Sequence, residues 1–129
     1  MYCLDTNILI DLLRGNIQTQ EKIKTLDLQK LYTNPIIISE LFKGVYRSDN
    51  SEEKIRIIEN LLNSLEILDF NKETYRLYGR IYNELKRQGK PTAEFDLMIA
   101  CLSMSNNTTL ITKNAKDFQN IKELKIIVW

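Results

Sequence analysis

Short apolar runs alternate along the chain with longer stretches whose apolar residues recur at helical spacing. Tyr2-Cys3-Leu4 is too brief for anything but a buried strand. Thr6 to Arg14 then sets Ile8, Leu9, Leu12 and Leu13 on one helical stripe, and Gly15 supplies a stop. Ile17 to Leu26 repeats the period with Ile17, Ile23 and Leu26, and Lys30 to Thr33 reads as a second strand. Asn34-Pro35 puts a capping side chain before a proline at the first helical position, which predicts a helix to about Arg47. Another helix opens at Ser51 and Glu52, with Ile55, Ile58, Leu61, Leu62 and Leu65 as its stripe. Glu66 to Phe70 predicts a strand. Asn71 starts a helix carrying Tyr75, Tyr78, Ile81, Tyr82 and Leu85, and Gly89-Lys90-Pro91 breaks it. Leu97 to Met104 is an apolar helix, and Thr108 to Thr112 and Lys125 to Val128 are the last two strands.

Strands interleaved with helices predict an α/β fold of three layers, α/β/α, around a mostly parallel sheet of about five strands. A chain of 129 residues suits one domain spanning residues 1–129, with no internal repeat or long linker.

Four acidic residues break this apolar pattern at its most apolar points. They are Asp5 after the first strand, Glu40 within Ile-Ile-Ile-Ser-Glu-Leu-Phe, Asp96 before Leu-Met-Ile-Ala-Cys, and Asp117 shortly after Thr-Leu-Ile-Thr. Each has a plain structural explanation. Asp5 and Asp96 can cap helices, Glu40 can border a solvated face, and Asp117 can sit in the first turn of a short helix capped by Asn114. Three of the four nevertheless follow strands or open helices, at the sheet edge where open parallel sheets bind ligands. Two carboxylates about 6 Å apart repel by about 3 kcal/mol at an effective dielectric of about 20. Four of them gathered together either hold protons or hold divalent cations.

Composition narrows the chemistry. The chain has no histidine, which excludes a Ser-His-Asp triad, a Cys-His pair and any histidine-bearing zinc site. Oxygen ligands remain, and they favour Mg²⁺ or Mn²⁺. A net charge of +1 announces no overall field for nucleic acid and excludes no local basic patch. Cys3 and Cys101 lie in apolar runs and are expected to be buried thiols. No charged-then-apolar leader opens the chain, and no apolar run approaches the length of a membrane span. The expected setting is therefore cytoplasmic, with no membrane partner.

At these residues the chain resembles the PIN-domain ribonucleases, and within them the VapC-type toxins of bacterial and archaeal toxin–antitoxin pairs. Leu4-Asp5-Thr6-Asn7-Ile8-Leu9 is similar to that family's first motif, and Ser39-Glu40-Leu41 with Gly44 to its second. Gly89-Lys90-Pro91 with Asp96-Leu97-Met98-Ile99-Ala100 is similar to the third, and Thr112 to Phe118, followed by Leu124 to Trp129, to the fourth and the closing strand. The resemblance runs the whole length in order. It implies a PIN fold and a metal-dependent endoribonuclease, in which Asp5, Glu40, Asp96 and Asp117 bind one or two Mg²⁺ or Mn²⁺ ions and carry catalysis. Thr6 and Asn114 match assisting polar positions, and either Asp117 or Asn114 is the fourth group near the metal. The chain departs from the family at Ala93 and Phe95, where members often carry Gly and Asn. The resemblance also implies an RNA substrate, a VapB-like antitoxin that occludes the acidic groove, and a homodimer. The apolar stripes of the first two helices and the fourth leave surface for such a partner.

Lys113 and Lys116, with Lys43, Arg47 and Lys90, could hold an RNA backbone, although each better suits a solvated surface; Lys113 and Lys116, which bracket Asn114, are the best placed. Tyr75, Tyr78 and Tyr82 are read as helix-face packing, without base stacking. Two rivals compete with the nuclease. A phosphatase using Asp5 as nucleophile would want a second acid at position 7, which is Asn7, and the chain has no Gly-rich phosphate loop. A catalytically degenerate interaction module of the same fold would have no need of the four acids.

Overall fold

The computed structural model describes residues 1–27 and 30–129. Five strands, β1 (Tyr2–Leu4), β2 (Leu31–Thr33), β3 (Glu66–Ile67), β4 (Thr109–Thr112) and β5 (Ile126–Val128), form one sheet in the order β3-β2-β1-β4-β5. Every pairing is parallel. Between the strands run α1 (Thr6–Leu13), α2 (Ile17–Lys24), α3 (Pro35–Val45), α4 (Ser51–Leu62), α5 (Lys72–Arg87) and α6 (Glu94–Ser105), which cover the sheet on both faces as a three-layer α/β/α fold. No helix among the described residues is long and apolar enough to cross a membrane.

The order of the strands fixes where a ligand can sit. The chain moves outward from β1 to β2 and β3, then returns to the far side of β1 with β4 and β5. Strand order therefore reverses between β1 and β4, and a crevice opens there beyond the carboxyl ends of the strands. The central strands are buried from both sides, as a covered parallel sheet requires. Cys3, Leu4, Leu110 and Ile111 have no solvent exposure, and Ile8, Leu9, Ile37, Ile99 and Ala100 pack with them. Both cysteines are free and buried.

Two boundaries and the phase of one helix depart most from those expected. β3 is trimmed to two residues, with its last ladder bond running from the Leu68 N–H to the Thr33 carbonyl at 2.8 Å. An edge strand exposed on both faces has little to extend it. α6 begins at Glu94, three residues earlier than the apolar run, which puts Asp96 in its first turn. On α5 the buried stripe is Thr74, Leu77, Ile81 and Leu85. A capping box between Asn71 and Thr74 sets that phase. Tyr75 and Tyr82 consequently fall outside the packed face, at 63% and 37% exposed, which corrects the packing expected of them. Tyr75 instead stacks on Phe70 with ring centroids 6.2 Å apart.

Asn34 is the polar residue on which the centre of the sheet turns. It is fully buried, its Oδ1 accepts from the Ile36 and Ile37 N–H groups at 3.0 Å each, and its Nδ2 donates to Cys3 Sγ at 3.7 Å. Pro35 follows at the first helical position, as the sequence predicts. Asn34→Ala removes the cap and strands two buried N–H groups, so it is expected to cost about 2–3 kcal/mol in urea unfolding. A loss below about 0.5 kcal/mol would show that the cap does not hold α3 in place.

Candidate active site

The site is assembled from the ends of β1 and β4, the first turns of α1 and α6, and the middle of α3. Asp5 leaves β1 with its N–H still in the ladder, donating to the Ile111 carbonyl at 3.0 Å. Its side chain is only 6% exposed. Oδ1 accepts from the adjacent Thr6 N–H at 2.8 Å, a contact too local to serve the second or third helical N–H as a cap does. Oδ2 accepts from the Thr112 hydroxyl at 2.6 Å and from Asn7 Nδ2 at 3.1 Å.

Thr112 and Asn7 lock this carboxylate between two distant motifs. Thr112 is fully buried at the end of β4, and its hydroxyl oxygen accepts from Asn7 Nδ2 at 3.1 Å and from the Asn114 N–H at 3.0 Å. Asn7 Oδ1 in turn accepts from the Lys113 N–H at 3.0 Å. Sequence reasoning quoted both residues within motifs and gave neither a role. Their only signal was polarity at a strand end and a helix start inside apolar surroundings.

Glu40 is half-buried on α3, and the Thr6 hydroxyl donates to its Oε2, so Thr6 ties α1 to α3. Gly44 lies one turn further on and leaves open space where a Cβ would stand. Asp96 is half-buried in the first turn of α6, and that helix starts at Ala93 without any side-chain cap bond. Capping therefore does not account for Asp96, although the helix dipole favours its charge. Asp117 is exposed on a short 3₁₀ helix, Ala115–Phe118. Its N–H donates to the Asn114 carbonyl at 3.1 Å, but the Asn114 side chain forms no cap, contrary to expectation.

Electrostatics shows that these acids converge. Burial pushes the Asp96 carboxyl up to about 6, and the charges of Asp117, Glu40 and Asp5 push in the same direction. Asp5 is also raised, chiefly by burial, with the Thr112 and Thr6 hydrogen bonds opposing and the Glu40 charge reinforcing. Four carboxylates from separate stretches of the chain thus share one field. Among the described residues no three acidic or thiol groups already close around a point as a ready-made metal cage. The donors present are carboxylate oxygens, the kind that hard divalent cations such as Mg²⁺ take.

The basic residues divide. Lys113 Nζ is ion-paired with Asp11, which also accepts from the Thr19 hydroxyl at 2.8 Å, so Lys113 must leave this partner before it can meet a phosphate. The Lys113 bond holds Asp11 below the ordinary carboxylate range. Lys43, Arg47, Lys90 and Lys116 are exposed.

The chain belongs to the PIN-domain family, whose sequence model matches residues 2–124. Over its whole length it is similar to the Ribonuclease VapC1 of Haemophilus influenzae strain R2866, with 40% identity over 131 residues covering 100% of this chain and 98% of that protein. Among solved structures it is similar to VapBC-1 from nontypeable Haemophilus influenzae, at a TM-score of 0.88 and 38% identity, covering 99% of this chain and 97% of that one. It is also similar to VapBC2 from Rickettsia felis, bound to a DNA fragment from its promoter, at a TM-score of 0.90 and 29% identity, covering 99% and 98%.

The raised Asp96 carboxyl has a thermodynamic consequence for the metal-free protein. The folded group titrates near 6 against an ordinary value of 3.8, so the fold binds the proton more tightly than the unfolded chain does. This contribution is fully present below pH about 4 and is lost as pH rises through about 6. In chelator, the melting temperature of the wild type is expected to fall across that window relative to Asp96→Asn. Parallel curves for the two proteins would show that Asp96 feels no such field.

Proposed function

We propose that this chain is the toxin of a VapBC-type toxin–antitoxin module, an endoribonuclease that hydrolyses RNA phosphodiester bonds with Mg²⁺ or Mn²⁺. The observation that carries the reading is geometric: Asp5 at the end of β1 is held by Thr112 of β4, Thr6 beside it donates to Glu40, and Asp96 stands uncapped in the first turn of α6. The full-length likeness to a protein named Ribonuclease VapC1 supports the same activity.

Asp5, Glu40 and Asp96 are the groups that would hold one or two ions, with Asp117 or Asn114 completing the set. When bound, a divalent cation supplies an acidified water and offsets the charge that develops on the scissile phosphate. The chain's own work is orientation. Thr112 and Asn7 fix Oδ2 of Asp5, and Thr6 fixes Oε2 of Glu40, so these ligands are held before substrate arrives. The uncompensated site repels a polyanion, which makes RNA affinity depend on the cation. Lys116, Lys43, Arg47 and a released Lys113 are the candidates for holding the backbone.

A VapB-like antitoxin is the proposed protein partner, in keeping with the VapBC structures this chain resembles. A groove of about 380 Å³ between α1, α3 and α4 supports this, because Ile10, Leu13, Leu41, Val45 and Ile57 line it and Glu40 stands in its wall. A peptide seated there would lie against Glu40, the acid in that wall. A homodimer and a cytoplasmic setting complete the reading.

Purified Asp5→Asn and Asp96→Asn are expected to lose Mg²⁺-dependent RNA cleavage while keeping the fold by circular dichroism. Thr112→Val removes only the hydroxyl that positions Asp5 and should lower cleavage about 10–100-fold. Full activity in both carboxamide variants rejects the assignment, and turnover of a phosphomonoester without RNA cleavage points to the phosphatase.

A further inference from the structure

The turn between α5 and α6 builds a second surface, against the start of the helix that carries Asp96. Gly89 reverses the chain there with φ +63°, a backbone conformation that favours glycine. The turn leaves a cleft of about 360 Å³ whose apolar floor and walls include Leu85, Pro91 and Leu97. Tyr82 forms one side of it, and Lys86 and Lys90 lie on its rim. Tyr82 is not a loose side chain. It stacks on Tyr78, one turn earlier, with centroids 5.9 Å apart and planes 28° from parallel. Tyr78 in turn donates its hydroxyl hydrogen to Glu94 Oε1 at 2.9 Å, which anchors the pair to the start of α6.

Three features give the cleft a chemical preference. Tyr82 stands outside the packed face of α5 and remains 37% exposed, so it is not needed to fill the core. Glu94 is engaged by Tyr78, whereas neither Lys86 nor Lys90 forms an ion pair among the described residues. The far wall is the first turn of α6, where Glu94 and Leu97 line the cleft and which also carries Asp96. Phe95, in the same turn, is 58% exposed. A fixed aromatic side, an apolar floor and two unpaired cations form the combination that holds single-stranded nucleic acid, because every base offers a face to stack and every nucleotide a phosphate.

We propose that this cleft is a stacking subsite for one base of single-stranded RNA adjoining the phosphate cut at the acidic edge. Tyr82 carries the base, and Lys86 and Lys90 carry its phosphate. The proposal rests on the ribonuclease reading and deepens it, since it makes the substrate an unpaired segment. A duplex keeps its bases stacked on one another and cannot offer one to the cleft.

The test uses the full chain and a fluorescent oligouridylate of about twelve nucleotides, within the span that single-strand binding sites cover. Cleavage kinetics are measured with Mn²⁺, and binding is measured in the cleavage-silenced Asp5→Asn background. Tyr82→Ala should raise KM about tenfold and weaken binding to match, with a much smaller change in kcat. Tyr82→Trp should restore both. Lys86→Gln with Lys90→Gln should flatten the dependence of binding on salt. Tyr75→Ala, on the same helix but stacked on Phe70, serves as the exposed-tyrosine control and should leave KM unchanged. Wild-type cleavage with an unaltered KM in Tyr82→Ala overturns the subsite and leaves the nuclease standing. Equal loss in Tyr82→Trp and Tyr82→Ala overturns stacking. A Tyr82→Ala variant that binds an antitoxin peptide less well, yet cuts RNA with the wild-type KM, assigns the cleft to protein and overturns the proposal. If the wild type neither binds nor cuts the oligonucleotide, both readings fall together.

Discussion

Burial of carboxylates at one edge of a parallel sheet, reinforced by repulsion between them, is the constraint to which the rest of this structure answers. Burial works against the charge on Asp5, while the Thr112 hydroxyl, the Thr6 N–H and the Asn7 amide all favour it. Burial and the Glu40 charge still leave the group raised. Asp96 is worse placed, since it has burial and three like charges against it and no side-chain cap role to offset them. A fold gains nothing from such an arrangement, so its stability must come from elsewhere. It comes from the fully buried central strands and from Asn34, whose amide satisfies three partners in the core directly behind the site.

Much of this was legible in the sequence because hydrophobic period is a local signal. The alternation of strands and helices, the start of α3 at Asn34-Pro35 and the burial of both cysteines all follow from a few neighbouring residues. The acids were legible for the same reason, since a charge next to an apolar run has few structural excuses. What escaped was non-local. Asn7 and Thr112 are 105 positions apart, and neither looks important until the sheet brings β1 beside β4. Lys113 reads as a free cation until the fold gives it Asp11. The phase of α5 was misjudged for a different reason. Tyrosine scores as apolar in a periodic pattern, yet its hydroxyl lets it stand at the surface, and Leu77 holds the core position in its place.

Two surfaces of different chemistry are built in part by helices that also supply acids. α3 holds Glu40 toward Thr6 and, through Leu41 and Val45, lines the apolar groove. α6 holds Asp96 toward the other carboxylates and, through Glu94 and Leu97, walls the aromatic cleft. Helical geometry makes this unavoidable, because successive residues point about 100° apart and one turn serves several faces. A body in the groove therefore presses on the helix that positions Glu40, and a base in the cleft presses on the turn that positions Asp96. Occupancy on either flank and the placement of the acids are then linked through single rigid helices. That linkage needs no moving lid: the helices that carry Glu40 and Asp96 also wall an apolar groove and an aromatic cleft.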